Sequence, residues 1–378
     1  MKSNRWILAA AIAAACATAH AAPAPASASG VDLAGIDHSV KPGDDFNGYA
    51  SGNWAKTAQI PADRSSTGIF LKVFEKAEQR NAELIRDAGK SNPKAGSNER
   101  KIADYYAAYM NEAAIEKNGL APIKAELAEV DAIKNKTDLS RVLGGTLRSD
   151  VDPINATNWW TENLFGLFVT QGLEDPSHNV PYLLQGGLGM PNRDYYLNDD
   201  AQMKGYRAKY QAYIASLLKQ SGAPDADAKA AAILALETKI AKAQASIVES
   251  EDVHKANNPW AMADFAKKAP GLDWNAYFTA AGLSGQKTVI AWQPEAISKL
   301  SALTASEPLQ TWKDWLTFHT LNHSAGLLPK AYADAQFDFY GHTLNGTPKQ
   351  RDRWKRAVGS TGDALGDAVG QIYVQRYF

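Results

Sequence analysis

Cysteine is nearly absent from this chain. Among 378 residues the only one is Cys16, which sits in the opening segment, so a chain cut after Ala21 could form no disulfide. Charge of either sign in excess is also lacking. Forty Lys and Arg against 41 Asp and Glu leave a formal net charge of −1, which removes the electrostatic basis for binding a nucleic acid or an anionic membrane surface. No stretch past the opening reaches the roughly 20 apolar residues that a bilayer-spanning helix needs. Absent too is H-E-x-x-H, two imidazoles one helical turn apart with a Glu between them as general base.

What is present describes an exported, folded protein. Hydrophobic residues make up 45% and charged residues 21%, an ordinary balance for a packed domain. Residues 1–21 read as a signal peptide: Lys2 and Arg5 form a positive n-region, Trp6 to Ala17 an apolar h-region, and Ala19-His20-Ala21 a small-x-small cleavage site. An alternative reading makes Ala13 to Cys16 a lipobox with Cys16 lipidated, although Ala13 stands where Leu is usual. Residues 22–30, rich in Ala, Pro and Ser, form a linker. Residues 31–378 are then the folded body, and the expected location is periplasmic or secreted.

Hydrophobic spacing in that body is mainly helical. Ile69 to Ala88, Lys101 to Lys117, Ala201 to Ser221, Asp225 to Glu249 and Asp363 to Phe378 carry apolar residues on one face. Asn258-Pro259 offers a helix start, with proline in the first turn. Asn163 to Gln171 and Asn179 to Gln185, rich in Phe, Val, Leu and Tyr and separated by Asp175-Pro-Ser-His178, predict a β-hairpin. Phe46, Tyr49 and Trp54 are spaced to share a buried helical face behind Asp44 and Asp45.

Several runs carry a resemblance. Gly189-Met-Pro-Asn-Arg-Asp-Tyr-Tyr-Leu197 resembles the Leu-Pro-Ser-Arg-Asp-Tyr-Tyr-Leu loop of the neprilysin-like (M13) zinc endopeptidases. Asp37 to Phe46, Tyr49 to Trp54 and Ile60-Pro61 are similar to that family's opening, with Gly43 and Ser51 in place of its cysteines. Leu236-Glu-Thr-Lys-Ile-Ala241, Pro270 to Trp274, Phe337 to Tyr340, Leu344 to Gly346, Arg353 to Arg356 and Leu365 to Phe378 continue the likeness to the last residue. At Glu251 the sequence has a carboxylate where an Arg is usual, and at Asn257 an amide where a Tyr is usual.

The resemblance implies a mainly α fold, the multi-helix lobe of a neprilysin-like peptidase with a small β-hairpin and without the catalytic thermolysin-like lobe. In the family that lobe faces a zinc-bearing lobe, and short peptides are cleaved in the cavity between them. Zinc is thus expected in the whole enzyme and not on this chain, whose partners would be the missing C-terminal catalytic lobe and short peptides. No catalytic residue transfers. Arg64 and Phe70 lie near the place where the helical lobe meets the cavity, though the family's own Arg aligns with Ser66. Pro191, Arg193, Asp194, Tyr195 and Tyr196 form a structural motif, in which Arg193 and Asp194 are expected as internal struts.

His319 and His323 are four residues apart, a spacing that suits zinc on a helix. Thr320 replaces the necessary Glu, and Trp312, Trp315, Leu316, His319 and His323 share one stripe, so two packed histidines are the better account. Most of the ten tryptophans are read as core, while the sequons at Asn135, Asn155, Asn322 and Asn345 matter only in a eukaryotic secretory route. The amphipathic end at Tyr377-Phe378, without Gly, Pro or a polar tail, suggests continuation into a second lobe. Two functions follow from different classes: the helical lobe of a metalloendopeptidase, inactive alone, or a non-catalytic periplasmic peptide-binding or interaction module.

Overall fold

The computed structural model describes residues 30–147 and 161–378. The signal peptide, Cys16, nearly all of the linker, Asn155 and the Trp159-Trp160 pair lie outside the described residues.

The described chain divides into two units. The smaller, which reaches Pro61 and includes 66–68, is built around α1 (Phe46–Thr57), whose N-cap Asp45 accepts a hydrogen bond from the Gly48 amide at 2.9 Å. Asp37 ties this unit together: its carboxylate accepts from Lys56 Nζ at 2.5 Å and from the Ser39 amide and hydroxyl. The buried aromatic face expected on α1 is not there. Phe46 is 68% exposed, and α1 contains no buried residue. A helix packed through one short side, with Gly52 against Asp37, needs little aromatic burial.

The larger unit holds the rest. Helix α2 (Ile69–Lys90) packs with α3 (Asn98–Met110) and the final helix through Ala82, Ile85, Ile102, Val358, Ala368 and Val369. The single helix expected over Lys101 to Lys117 is broken at Asn111, which ends α3 and caps α4 (Glu112–Asn118) by accepting from the Ala114 amide. Helix α5 (Lys136–Gly145) follows, and Gly144 lets it lie against the backbone of Tyr277 where a Cβ would sit 2.1 Å from that carbonyl oxygen.

Strands β1 (Phe165–Gln171) and β2 (Asn179–Gln185) form the anticipated antiparallel hairpin, in register from Phe165 opposite Gln185 to Gln171 opposite Asn179. It is half of a larger sheet. Beyond the hairpin that the sequence predicts, β3 (Pro259–Ala261) and β4 (Thr288–Ala291) complete four strands in the order β1-β2-β4-β3, with β2 and β4 parallel. Pro259 therefore starts a strand, not a helix. At the edge of the sheet its missing amide costs no ladder bond. Behind this face Phe168 stacks on Tyr182 at 4.7 Å, with Trp292 against both.

The main core gathers, among other helices, α6 (Asp194–Leu197), α7 (Ala201–Gln220), α8 (Ala226–Ala243), α9 (Trp274–Ala280), α10 (Pro294–Ser306), α11 (Leu309–Ser324) and α12 (Lys330–Gln336). Helix α12 runs into a π-helical segment, Phe337–Leu344, and the described chain finishes in α13 (Arg353–Tyr377), which kinks at Leu365. Five tryptophans, at 260, 274, 292, 312 and 315, are buried. Among the described residues no helix is long and apolar enough to cross a membrane.

Candidate functional site

The signature loop at Gly189 to Leu197 is organised by a carboxylate outside it. Glu237, on α8, is fully buried. It accepts from the Tyr196 hydroxyl at 2.5 Å, the Tyr210 hydroxyl at 3.0 Å and the Gly189 amide at 3.3 Å, and meets His319 Nε2 at 2.9 Å. The Tyr196 hydroxyl in turn accepts from the Met190 amide, and Tyr340 donates to the Gly189 carbonyl at 2.9 Å. Glycine at 189 is demanded by close approach: a Cβ there would lie 1.9 Å from the Tyr210 hydroxyl oxygen.

The motif's strut is thus Tyr196, not Arg193 and Asp194 as the sequence suggested. Asp194 is exposed and Arg193 half-buried; after the Ser246 hydrogen bonds, Arg193 contributes charge that helps hold the Glu249 carboxyl low. Tyr195 stacks on Tyr206 with ring centroids 5.8 Å apart. Pro191 is exposed at the bend. A phenol can cross an apolar core and present one polar tip, whereas a guanidinium or carboxylate would have to be wholly desolvated.

His319 joins this hub to a second carboxylate. Its Nδ1 lies 3.4 Å from Glu162, which also receives Asn322 Nδ2 at 3.0 Å and meets His323 Nδ1 at 2.9 Å. Burial alone would push the His319 imidazolium towards neutrality, but the hydrogen bonds and charges of Glu162 and Glu237 prevail and raise its pKa to about 9. Glu162 shows the mirror image. Burial would raise it, yet its bonds to His319 and His323 hold it at about 2.

Zinc does not fit this pair. Both His319 nitrogens face carboxylates, and an imidazolium has no lone pair to give a metal. His323 is 80% exposed at the side chain while His319 is 7% exposed, so the two rings do not share an open ligand face. Thr320 uses its hydroxyl on the Leu316 carbonyl. Among the described residues no group of three or more His, Cys, Asp or Glu is arranged to hold a metal. The ring of His319 packs on Trp315 at 4.4 Å, as its place on the tryptophan stripe anticipated.

Arg64 and Phe70 occupy a different face, where α2 begins. Phe70 is 88% exposed and is flanked by the exposed Ile69, Val73 and Phe74. Arg64 turns inward. It lies over the Phe74 ring at 5.5 Å and 3.6 Å from the buried Glu78, which Arg351 also pairs with. Asn322, one of the glycosylation sequons, is buried and accepts from the Tyr213 hydroxyl at 2.6 Å, which leaves no room for a glycan.

Comparison with known proteins follows the same outline. The sequence model described as Peptidase family M13 matches residues 42–378. Bovine endothelin-converting enzyme 1 is 26% identical over 356 residues, covering 92% of this chain and 46% of that protein. Neprilysin-3 of Drosophila melanogaster is also 26% identical, over 92% of this chain and 45% of its own length. Among solved structures, the Mycobacterium tuberculosis zinc metalloprotease Zmp1 in complex with an inhibitor superposes with a TM-score of 0.83 at 31% identity, over 92% of this chain and 52% of that one. The chain therefore spans about half the length of the curated relatives it matches.

Proposed function

The chain belongs to peptidase family M13, and on that premise we propose that it is the helical lobe of a secreted or periplasmic zinc endopeptidase that cleaves short peptides. Its chemistry comes from a second, zinc-bearing lobe. The observation that carries this reading is coverage: relatives such as endothelin-converting enzyme 1 match almost all of this chain with less than half of themselves. The family's zinc ligands and general base have no counterpart here, and the two histidines at helical spacing are committed to Glu162 and Glu237. By itself the chain is inactive.

Its contribution is shape. Ile69, Phe70, Val73 and Phe74 form an exposed apolar stripe at the start of α2, larger than isolated surface residues require. In the assembled enzyme Phe70 meets peptide, while Arg64, held over Phe74, fixes the start of the helix. The hub at Glu237 keeps the loop at Gly189 to Leu197 rigid. Co-production with a zinc-bearing second lobe tests the reading. Chelator-sensitive peptide hydrolysis should require both parts, and undiminished hydrolysis by the second lobe alone would overturn it. A peptide-binding module without chemistry would instead bind peptides unaided and gain no turnover from the added lobe.

A further inference from the structure

A pocket of about 360 Å³ opens beside the π-helical segment Phe337–Leu344. Its volume is in the range of small-molecule sites, about 300–1,000 Å³. None of the four donors to Glu237 lines it, and the two sites touch through Tyr340, whose hydroxyl is on the Gly189 carbonyl. One wall is aromatic, from Phe337 and Tyr340; another is cationic, from Arg351 and Arg356. Thr347 and Gln350 add polar atoms between them.

The charges around it do not cancel. Asp63, the one carboxylate of the lining, is taken by Lys355 at 2.8 Å, and that hydrogen bond holds its carboxyl below the usual range. Arg351 is paired with Glu78, but its Nε is buried without a hydrogen-bond partner among the described residues. Arg356 has its Nε on the Arg351 carbonyl at 3.1 Å and no carboxylate within salt-bridge distance among the described residues. One guanidinium is thus left over at a partly enclosed, aromatic-walled site, where a cation gains most from an anion that shares its desolvation.

Backbone geometry supplies an independent sign. A π-helical run is rare, and such runs are frequent at functional sites. Here the wide turn is kept open by Gly341, whose absent Cβ would meet the Phe337 ring at 2.4 Å. The run therefore sets the position of the aromatic wall directly.

We propose that this pocket binds a small monocarboxylate carried on an aromatic or branched apolar body, with Arg356 receiving the carboxylate and Phe337 and Tyr340 the body. Arg351 lines the same pocket and adds positive potential while remaining on Glu78. Size limits the ligand to a few tens of atoms, and the single unpaired cation favours one negative charge over two.

Titration of the whole chain with 3-phenylpropionate and with its amide, followed by calorimetry or by NMR of the Tyr and Phe rings, tests the site. The carboxylate should saturate, weaken with salt, and bind about tenfold or more tightly than the amide, the scale of a charge-assisted hydrogen bond. Arg356→Gln should cost a similar factor while lowering the urea midpoint by no more than the loss of its one hydrogen bond to the Arg351 carbonyl, about 1 kcal/mol; Arg356→Lys should recover part of the affinity. No saturable binding of the carboxylate, equal binding of the amide, or unchanged affinity in a folded Arg356→Gln chain would each overturn the proposal.

Discussion

Replacing Glu237 by Leu tests the hub most severely. In the folded chain four donors converge on this carboxylate: the hydroxyls of Tyr196 and Tyr210, the Gly189 amide and His319 Nε2. Each bond to a charged acceptor is worth ~1.5–3 kcal/mol in isolation, but the four share one acceptor and do not add. The larger loss is the imidazolium of His319, left buried with Glu162 alone at 3.4 Å. Breaking a buried pair by deleting one partner costs about 3–5 kcal/mol, and leucine returns little because the site is shaped for polar atoms. For a urea slope of ~3 kcal/mol per molar, the midpoint should fall by ~1–1.7 M. Glu237→Gln keeps the shape and one acceptor oxygen, so it should fall by roughly half as much. Unfolding should be followed by both tryptophan fluorescence and far-ultraviolet circular dichroism, because coincident curves are needed before midpoints become free energies. A loss under about 1 kcal/mol for Glu237→Leu would refute the claim that this residue organises the signature loop, since ordinary substitutions already reach that size.

Other expectations concern pH, packing and surface. His319 would titrate near 6.5 when unfolded and near about 9 when folded, so its contribution is full below pH 6.5 and is lost as pH rises through about 9. Glu162, at 4.5 unfolded and about 2 folded, contributes fully above 4.5 and loses its effect as pH falls towards about 2. Urea midpoints for His319→Gln should therefore be flatter between pH 6.5 and 9 than those of the parent; an unchanged slope would count against the buried imidazolium. Gly189→Ala places a methyl on the Tyr210 hydroxyl and should destabilise by ~1–3 kcal/mol, read from the same midpoints. Phe70→Ser with Val73→Ser should raise solubility at a cost within ~0.5 kcal/mol per site, because both side chains are exposed. Zinc content after dialysis should be the same for the parent and for His319→Ala with His323→Ala, as measured by atomic absorption.

Much of the architecture was legible because it is local. Helix starts at Ile69 and Ala201 coincide with those of the apolar periodicity, and the hairpin register follows from two β-rich runs around Asp175-Pro176. Long-range pairing was not legible. Strands β3 and β4 are three and four residues long and acquire their identity only by joining β2, so Pro259 read alone looks like a helix start. The hub behaves likewise. Leu236-Glu237 stood in plain view as part of an amphipathic helix, and nothing in its spacing says that Tyr196, Tyr210 and His319, from three separate segments, converge on that carboxylate. The one available signal was an acidic residue on the apolar side of an Ala- and Leu-rich helix, since a carboxylate there must find partners. Arg64 and Phe70 were placed near the cavity by the resemblance alone, and nothing in the local pattern says that the Arg64 guanidinium turns towards Glu78.

In the proposed division of labour, this lobe shapes a cavity and another performs the chemistry. The most direct measurement is hydrolysis of a short quenched-fluorescence peptide by the purified chain with zinc supplied, in the presence and absence of a chelator. No turnover above the zinc-only background is predicted. Robust, chelator-sensitive cleavage by the chain alone would contradict it.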